Sequence, residues 1–206
     1  MKNRSLLLFT SLSGAALIAA ADVHAATLIN EGFETSTTAS PPNGWTLNAS
    51  PGTSTTTIYS YGGTGTNFAT TGNNALRIQT GSSYQIAETP TLNLTGATTA
   101  TITFDFKWDG SSSTRYFTVG FWNGSSWTNF ANVTASGANY PSGSYSHTVT
   151  SGFASNSMFR IAGKNTGGGG TISAYIDNVV ITSDVPEPAS ALLGSLGLLT
   201  LLRRRR

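Results

Sequence analysis

Not one cysteine occurs in the 206 residues. Thiol catalysis, cysteine–zinc sites and disulfide staples are therefore excluded together. Charge is scarce too: only 10 % of the residues are Asp, Glu, Lys or Arg, and there are two histidines. His24 falls in the leading segment, which leaves His147 in an alternating Ser-Tyr-Ser-His-Thr-Val-Thr run that reads as an exposed strand position rather than a general base. No Gly-X-Ser-X-Gly elbow and no His-Glu-X-X-His motif is present, so nucleophilic and zinc hydrolysis lack their signatures. The glycine run 167–170 lacks the Gly-Lys-Ser/Thr ending of a phosphate loop. Asp105 and Asp109 share a parity on one strand, which sets them about 13 Å apart, too far for a glycosidase pair without a further partner. Between residues 26 and 184 no segment has a convincing 3.6-residue apolar period.

The two ends have their own character. Residues 1–25 start with Lys2 and Arg4, continue through an interrupted apolar stretch, and end on Val23-His24-Ala25. This is the tripartite pattern of a signal peptide, and signal peptidase is expected to cut after Ala25. Residues 183–206 form a linker and tail: Val185-Pro186-Glu187-Pro188, an apolar run over 189–202, and Arg203, Arg204, Arg205 and Arg206. The run has no polar face, so it is expected to be a short hydrophobic helix that enters the inner membrane transiently rather than packing on a domain. The arginines should hold its far end in the cytoplasm.

Setting both ends aside changes the charge. The whole chain has a pI of about 9.0, but six of its eleven basic residues lie in the ends. Residues 26–186 keep five (Arg77, Lys107, Arg115, Arg160, Lys164) against seven acids, a net of −2. No basic patch is left to attract phosphates, so nucleic acid is excluded as a partner.

What is present is Thr, Ser, Gly and Asn, with aromatics scattered among them, a mixture suited to strands and turns. Period-two alternation is clear at 101–109 and 115–121, with a hairpin-like connection at Asp109-Gly110. Further strands are expected at 27–33, 55–61, 75–80, 84–87, 127–133, 144–150, 158–161 and 171–182. About ten short strands in one domain, 26–182, indicate an all-β fold: a two-sheet antiparallel sandwich, with a jelly roll as the preferred topology.

Pro186-Glu187-Pro188, the apolar run and the terminal arginines together resemble the PEP-CTERM sorting signal. The resemblance implies recognition by an exosortase, removal of the tail near the Pro-Glu-Pro, and a place at the cell surface or in the extracellular polysaccharide (biofilm) matrix of a Gram-negative bacterium. Four Asn-X-Ser/Thr triplets, at Asn48, Asn93, Asn123 and Asn132, agree with it. The body resembles MAM-like and adhesin-type jelly rolls through Glu31-Gly-Phe-Glu34, Pro41-Pro-Asn-Gly-Trp45 and Ala174-Tyr-Ile-Asp-Asn-Val-Val-Ile181. That likeness implies that the first and last strands lie side by side. Glu34 and Asp177, with Glu31 as a third, would then be able to hold a structural Ca²⁺, since calcium favours carboxylate and carbonyl oxygens.

Sugar sites combine aromatic rings, which cover apolar C–H faces, with polar groups that meet hydroxyls. Trp122, Trp127 and Tyr116 are the ligand-binding candidates, with Tyr140 and Tyr145 also considered. Trp122 and Tyr116 have the opposite parity to Phe117, Val119 and Phe121, so they lie on the other face of their sheet. The poverty in titratable groups favours a non-enzymatic structural or carbohydrate-associating module. The alternative is a polysaccharide-active enzyme, a glycoside hydrolase or lyase, on a similar sandwich.

Overall fold

A computed structural model describes residues 25–37, 40–48, 56–60, 66–137, 139–167 and 171–184. The signal peptide and the hydrophobic tail helix lie outside these residues. Twelve strands run in the order β1 (Ala26–Glu31), β2 (Thr46–Asn48), β3 (Thr56–Ser60), β4 (Asn74–Gln79), β5 (Gln85–Glu88), β6 (Ala100–Trp108), β7 (Ser112–Trp122), β8 (Trp127–Asn129), β9 (Val133–Ala135), β10 (Ser142–Val149), β11 (Met158–Asn165) and β12 (Ser173–Ser183). Among the described residues there is no helix.

The strands form two six-stranded sheets. Sheet I has the order β10-β6-β12-β4-β3, with β1 also on β12; sheet II has the order β2-β5-β11-β7-β8, with β9 also on β7. Every pairing is antiparallel. The expected jelly-roll sandwich is the fold observed. The connection at Asp109-Gly110 corrects the hairpin reading: β6 belongs to sheet I and β7 to sheet II, so the chain crosses between layers there instead of pairing with itself. Alternation shows which residues face the core but not which strand lies alongside, and that is why the two were confused.

The core forms where the inward rows meet. Leu76, Ile78, Ile102, Phe104, Trp108, Ile176, Val179 and Ile181 of sheet I pack against Phe117, Val119, Phe121, Phe159 and Ile161 of sheet II, all at most 2 % exposed. Phe117 is the hub of the aromatic packing, with ring centroids 5.7 Å from Phe104, 5.3 Å from Phe106 and 5.7 Å from Trp108. Burying such side chains contributes about 1.5–3 kcal/mol each, and in a chain without disulfides this is the main source of stability. Tyr145 also faces inward, stacked on Phe104 at 4.9 Å, and burial pushes its phenol up to about 12.

At the end of β12 the chain is fastened by a carboxylate. Asp184 Oδ1 accepts the backbone N–H groups of Thr98 and Thr99, both at 2.8 Å, and Oδ2 accepts the Thr98 hydroxyl. The Thr98 hydroxyl and the Thr99 N–H hold the Asp184 carboxyl at about 2, below its usual 3.8. A depressed carboxylate stabilises the fold fully above its unfolded value and loses that contribution as pH falls through its folded value. In melts from pH 7 down to pH 2, Asp184→Asn is therefore expected to lower the melting temperature at neutral pH. The gap to the wild type should close between about pH 4 and pH 2.

Candidate functional site

Two places collect polar side chains in a way that packing alone does not require. The first lies at the middle of β12. Pairing with β6 runs in register from Ala174 to Asp177, breaks, and resumes at Val180. Asn178 takes a left-handed backbone with φ of 51°. This bulge changes the parity of the strand: Ala174 and Ile176 face the core before it, Val179 and Ile181 after it. Asp177, fully buried, is turned onto the loop 70–74. Its Oδ2 accepts the N–H groups of Thr70 at 3.1 Å and Thr71 at 2.8 Å and both threonine hydroxyls at 3.0 and 3.1 Å, while Oδ1 accepts the N–H of Asn178 at 2.8 Å.

Glu34 takes the same loop from its other end, accepting the N–H of Asn73 at 3.1 Å and of Asn74 at 3.1 Å. Gly72, at φ of 56°, permits this approach, because a Cβ there would stand 2.3 Å from the Glu34 carboxyl carbon. The structure thus brings Glu34 and Asp177 to one loop, and β1 lies beside β12 as the resemblance implied. Glu31 is spent locally: its Oε1 accepts the N–H of Phe33 at 2.6 Å. Among the described residues no group of three or more His, Asp or Glu is spaced to hold a metal ion. As it stands, the donor set faces N–H and O–H groups, which present positive ends to the carboxylates. A three-carboxylate cage does not fit it.

The second place is the outer face of sheet II. Register puts Trp127, Trp122 and Met158 in one row across β8, β7 and β11. The next row is Asn129, Gly120, Arg160 and Glu88. Further along, Tyr116 stands opposite Lys164. The three aromatic candidates therefore share a face. Trp122 and Tyr116 are six residues apart on one strand, about 20 Å, and the floor between them consists of the small residues Thr118, Gly120 and Ala162.

At one end the rings of Trp122 and Trp127 lie 5.6 Å apart, and the Arg160 guanidinium carbon sits 4.2 Å above the Trp127 ring. Arg160 reaches that ring across Gly120, where a Cβ would stand 3.0 Å from Arg160 Nε. Arg160 Nη2 donates to Asn129 Oδ1 at 2.9 Å. Burial lowers the Arg160 pKa, against the opposing pull of the Glu88 carboxylate. At the other end Tyr116 hydrogen-bonds Tyr84, which raises its phenol pKa, and Lys164 Nζ lies 4.7 Å from the Tyr84 ring.

The other residues considered go elsewhere. Tyr140 is 52 % exposed and leans on Phe68, while Tyr145 belongs to the core. His147 is corrected from an exposed strand residue to a half-buried one, its ring stacked 3.7 Å from that of Phe130. It lines a groove of about 280 Å³ with Phe121, Asn123, Phe130 and Ser151. Arg160, Lys164 and Tyr84 were missed as site residues. The signal for the two cations was the continued alternation Met158, Arg160, Ala162, Lys164 beyond the point at which the sequence reading ended that strand.

With this geometry established, the comparisons with known proteins bear on both the tail and the fold. Residues 184–206 match the PEP-CTERM protein-sorting motif. The PEP-CTERM tail marks an exported protein that an exosortase sorts. No curated protein matches the chain in sequence. Among solved structures, the xylan-binding CBM22-1 domain of Paenibacillus barcinonensis Xyn10C superposes with a TM-score of 0.52 at 14 % identity, over 79 % of this chain and 97 % of that one. A cyclase from Fischerella sp. TAU gives 0.50 at 14 % identity over 77 % and 99 %. The MgGH51 α-L-arabinofuranosidase gives 0.51 at 16 % identity over 78 % of this chain but 27 % of that one. What this chain shares with these structures is the fold, a two-sheet antiparallel jelly-roll sandwich, and the PEP-CTERM motif is confined to its tail.

Removing Asp177 would delete the buried carboxylate that gathers donors from Thr70, Thr71 and Asn178, and with it the bonds that fasten the loop to β12. Asp177→Ala is expected to destabilise the domain by about 3–5 kcal/mol in urea titrations, more than a single lost surface hydrogen bond.

Proposed function

We propose that this is a non-enzymatic, exported module that associates with extracellular polysaccharide, at the cell surface or in the matrix of a Gram-negative bacterium, after exosortase has processed its tail. One observation carries the reading. The outer face of sheet II has indole rings at one end, phenol rings at the other, and polar groups of β8 and β11 between them. This is the chemistry that sugar recognition needs, on a fold shared with a xylan-binding domain.

An enzyme reading needs two carboxylates converging on one bond at about 5–10 Å. Glu88 is the only acidic residue in any strand of sheet II. Asp105 and Asp177 face each other in register on sheet I, but Asp177 is fully buried and already saturated with donors. The geometry therefore favours binding over hydrolysis. In affinity electrophoresis through matrix polysaccharide, Trp122→Ala and Trp127→Ala are each expected to weaken retention about tenfold or more, by analogy with other stacked aromatic anchors. Retention unchanged in both variants would refute the reading.

Calcium at Glu34 and Asp177 stands as a separate proposal. It requires the ion to replace some of the N–H donors that these carboxylates now hold. The domain is expected to melt several degrees higher in calcium than in EDTA, and identical melts would count against the proposal. Replacing Pro186, Glu187 and Pro188 by alanine is expected to leave the tail attached, an increase readable by intact mass.

A further inference from the structure

We propose that the polymer bound on sheet II is anionic, a chain whose sugars bear carboxylates, as uronic acids do, held by Arg160 and Lys164. This narrows the carbohydrate-binding reading and rests on it.

The five cations of residues 26–186 are unevenly placed. Arg115 is interior, 5 % exposed. Arg77 and Lys107 stand in one row with Tyr175 on sheet I. There Lys107 Nζ donates to the carbonyl of Asn67 at 2.9 Å, and Asp105 and Asp109 lie close by. The remaining two, Arg160 and Lys164, share the outer face of sheet II, whose strands hold one acid, Glu88. A domain of net charge −2 thus turns a net positive face towards its ligand.

Both cations are set beside rings. Arg160 stands opposite Glu88 in register, yet its guanidinium turns away across Gly120 to Trp127 and Asn129. Apart from the bond to Asn129, its N–H groups have no acceptor among the described residues. Lys164 Nζ lies over Tyr84 and likewise has no acceptor there. Four residues apart on one face of β11, the two charges are about 13 Å from each other. Each unit presents a ring for a sugar's C–H face and, next to it, a cation for that sugar's carboxylate. The guanidinium fork matches a carboxylate's two oxygens. A neutral chain would cover the same two charges and return only hydroxyls.

The test compares polygalacturonate and alginate with polygalacturonate whose carboxyls have been reduced to alcohols, using protein purified from the producing cells. Polyglutamate serves as an anion without sugar rings. Binding of at least one acidic polymer is expected to be roughly tenfold tighter than that of the reduced one and to weaken as salt is raised. Arg160→Gln and Lys164→Gln should each lower it several-fold with unchanged melting temperature. Equal, salt-insensitive binding of charged and reduced polymers would overturn the proposal while leaving carbohydrate binding intact. Equally tight binding of polyglutamate would overturn it as well, since the face would then be merely cationic. If no polysaccharide binds, this proposal and the carbohydrate reading both fail.

Discussion

The buried carboxylate of Asp177 sits where the central strand of sheet I changes parity, and much of the architecture follows from that point. β12 pairs with β6 on one side along its length and with β4 and then β1, end to end, on the other. Two neighbours on one edge need a seam, and the bulge lies at it. Without the extra residue, Val179 and Ile181 would point away from the core, because a one-residue slip exchanges the two faces of a strand. The bulge costs ladder bonds. Asp177 compensates by binding the backbone of Thr70 and Thr71, and Glu34 holds the other end of the same loop. A chain without cysteine thereby joins its first strand, an early loop and its last strand through two carboxylates.

Sheet II depends on this arrangement indirectly. Its inner rows pack on those of sheet I, and the rigid layer beneath lets its outer rows be built for another purpose. The choice of side chains there is economical. Gly120 and Ala162 keep the middle of the face low, so that Arg160 can lie across it, and the large rings stand at the two ends.

Much of this was legible in the sequence, because alternation is a direct record of which side of a strand meets the core. The opposite parities of Trp122 and Phe121 put them on different faces of one sheet, and only the packing of the two sheets makes the face of Trp122 the outer one. Trp127 joins Trp122 only through cross-strand register, which single-strand periodicity does not contain. Thr46–Asn48 is too short to show a period, so β2 went unseen. Residues 127–133 read as one strand, but they are β8 followed by a break before β9, both on the same edge of β7. His147 was misjudged because its polar neighbours hid its inward parity, which it shares with Tyr145 and Val149.

The two outer faces differ in a way that decides which one is open to a ligand. On sheet I most of the polar groups among the described residues are satisfied from within, with the buried Arg77 Nε as an exception. Asp105 accepts from Ser144 and Asn178, Asp109 accepts from Ser173 and Tyr175, and Lys107 donates to Asn67. Its aromatics are satisfied as well, since Tyr59 and Phe68 pack on Tyr175 with centroids 4.9 and 4.7 Å away. A ligand arriving there would have to break bonds to make them, and the net gain from such an exchange is small. On sheet II the Arg160 Nη groups and the Lys164 ammonium still have N–H bonds to give, Trp122, Trp127 and Tyr116 are only half-buried, and Tyr84 is exposed. Binding follows unspent capacity, and in this protein that capacity lies on the face of β7, β8 and β11.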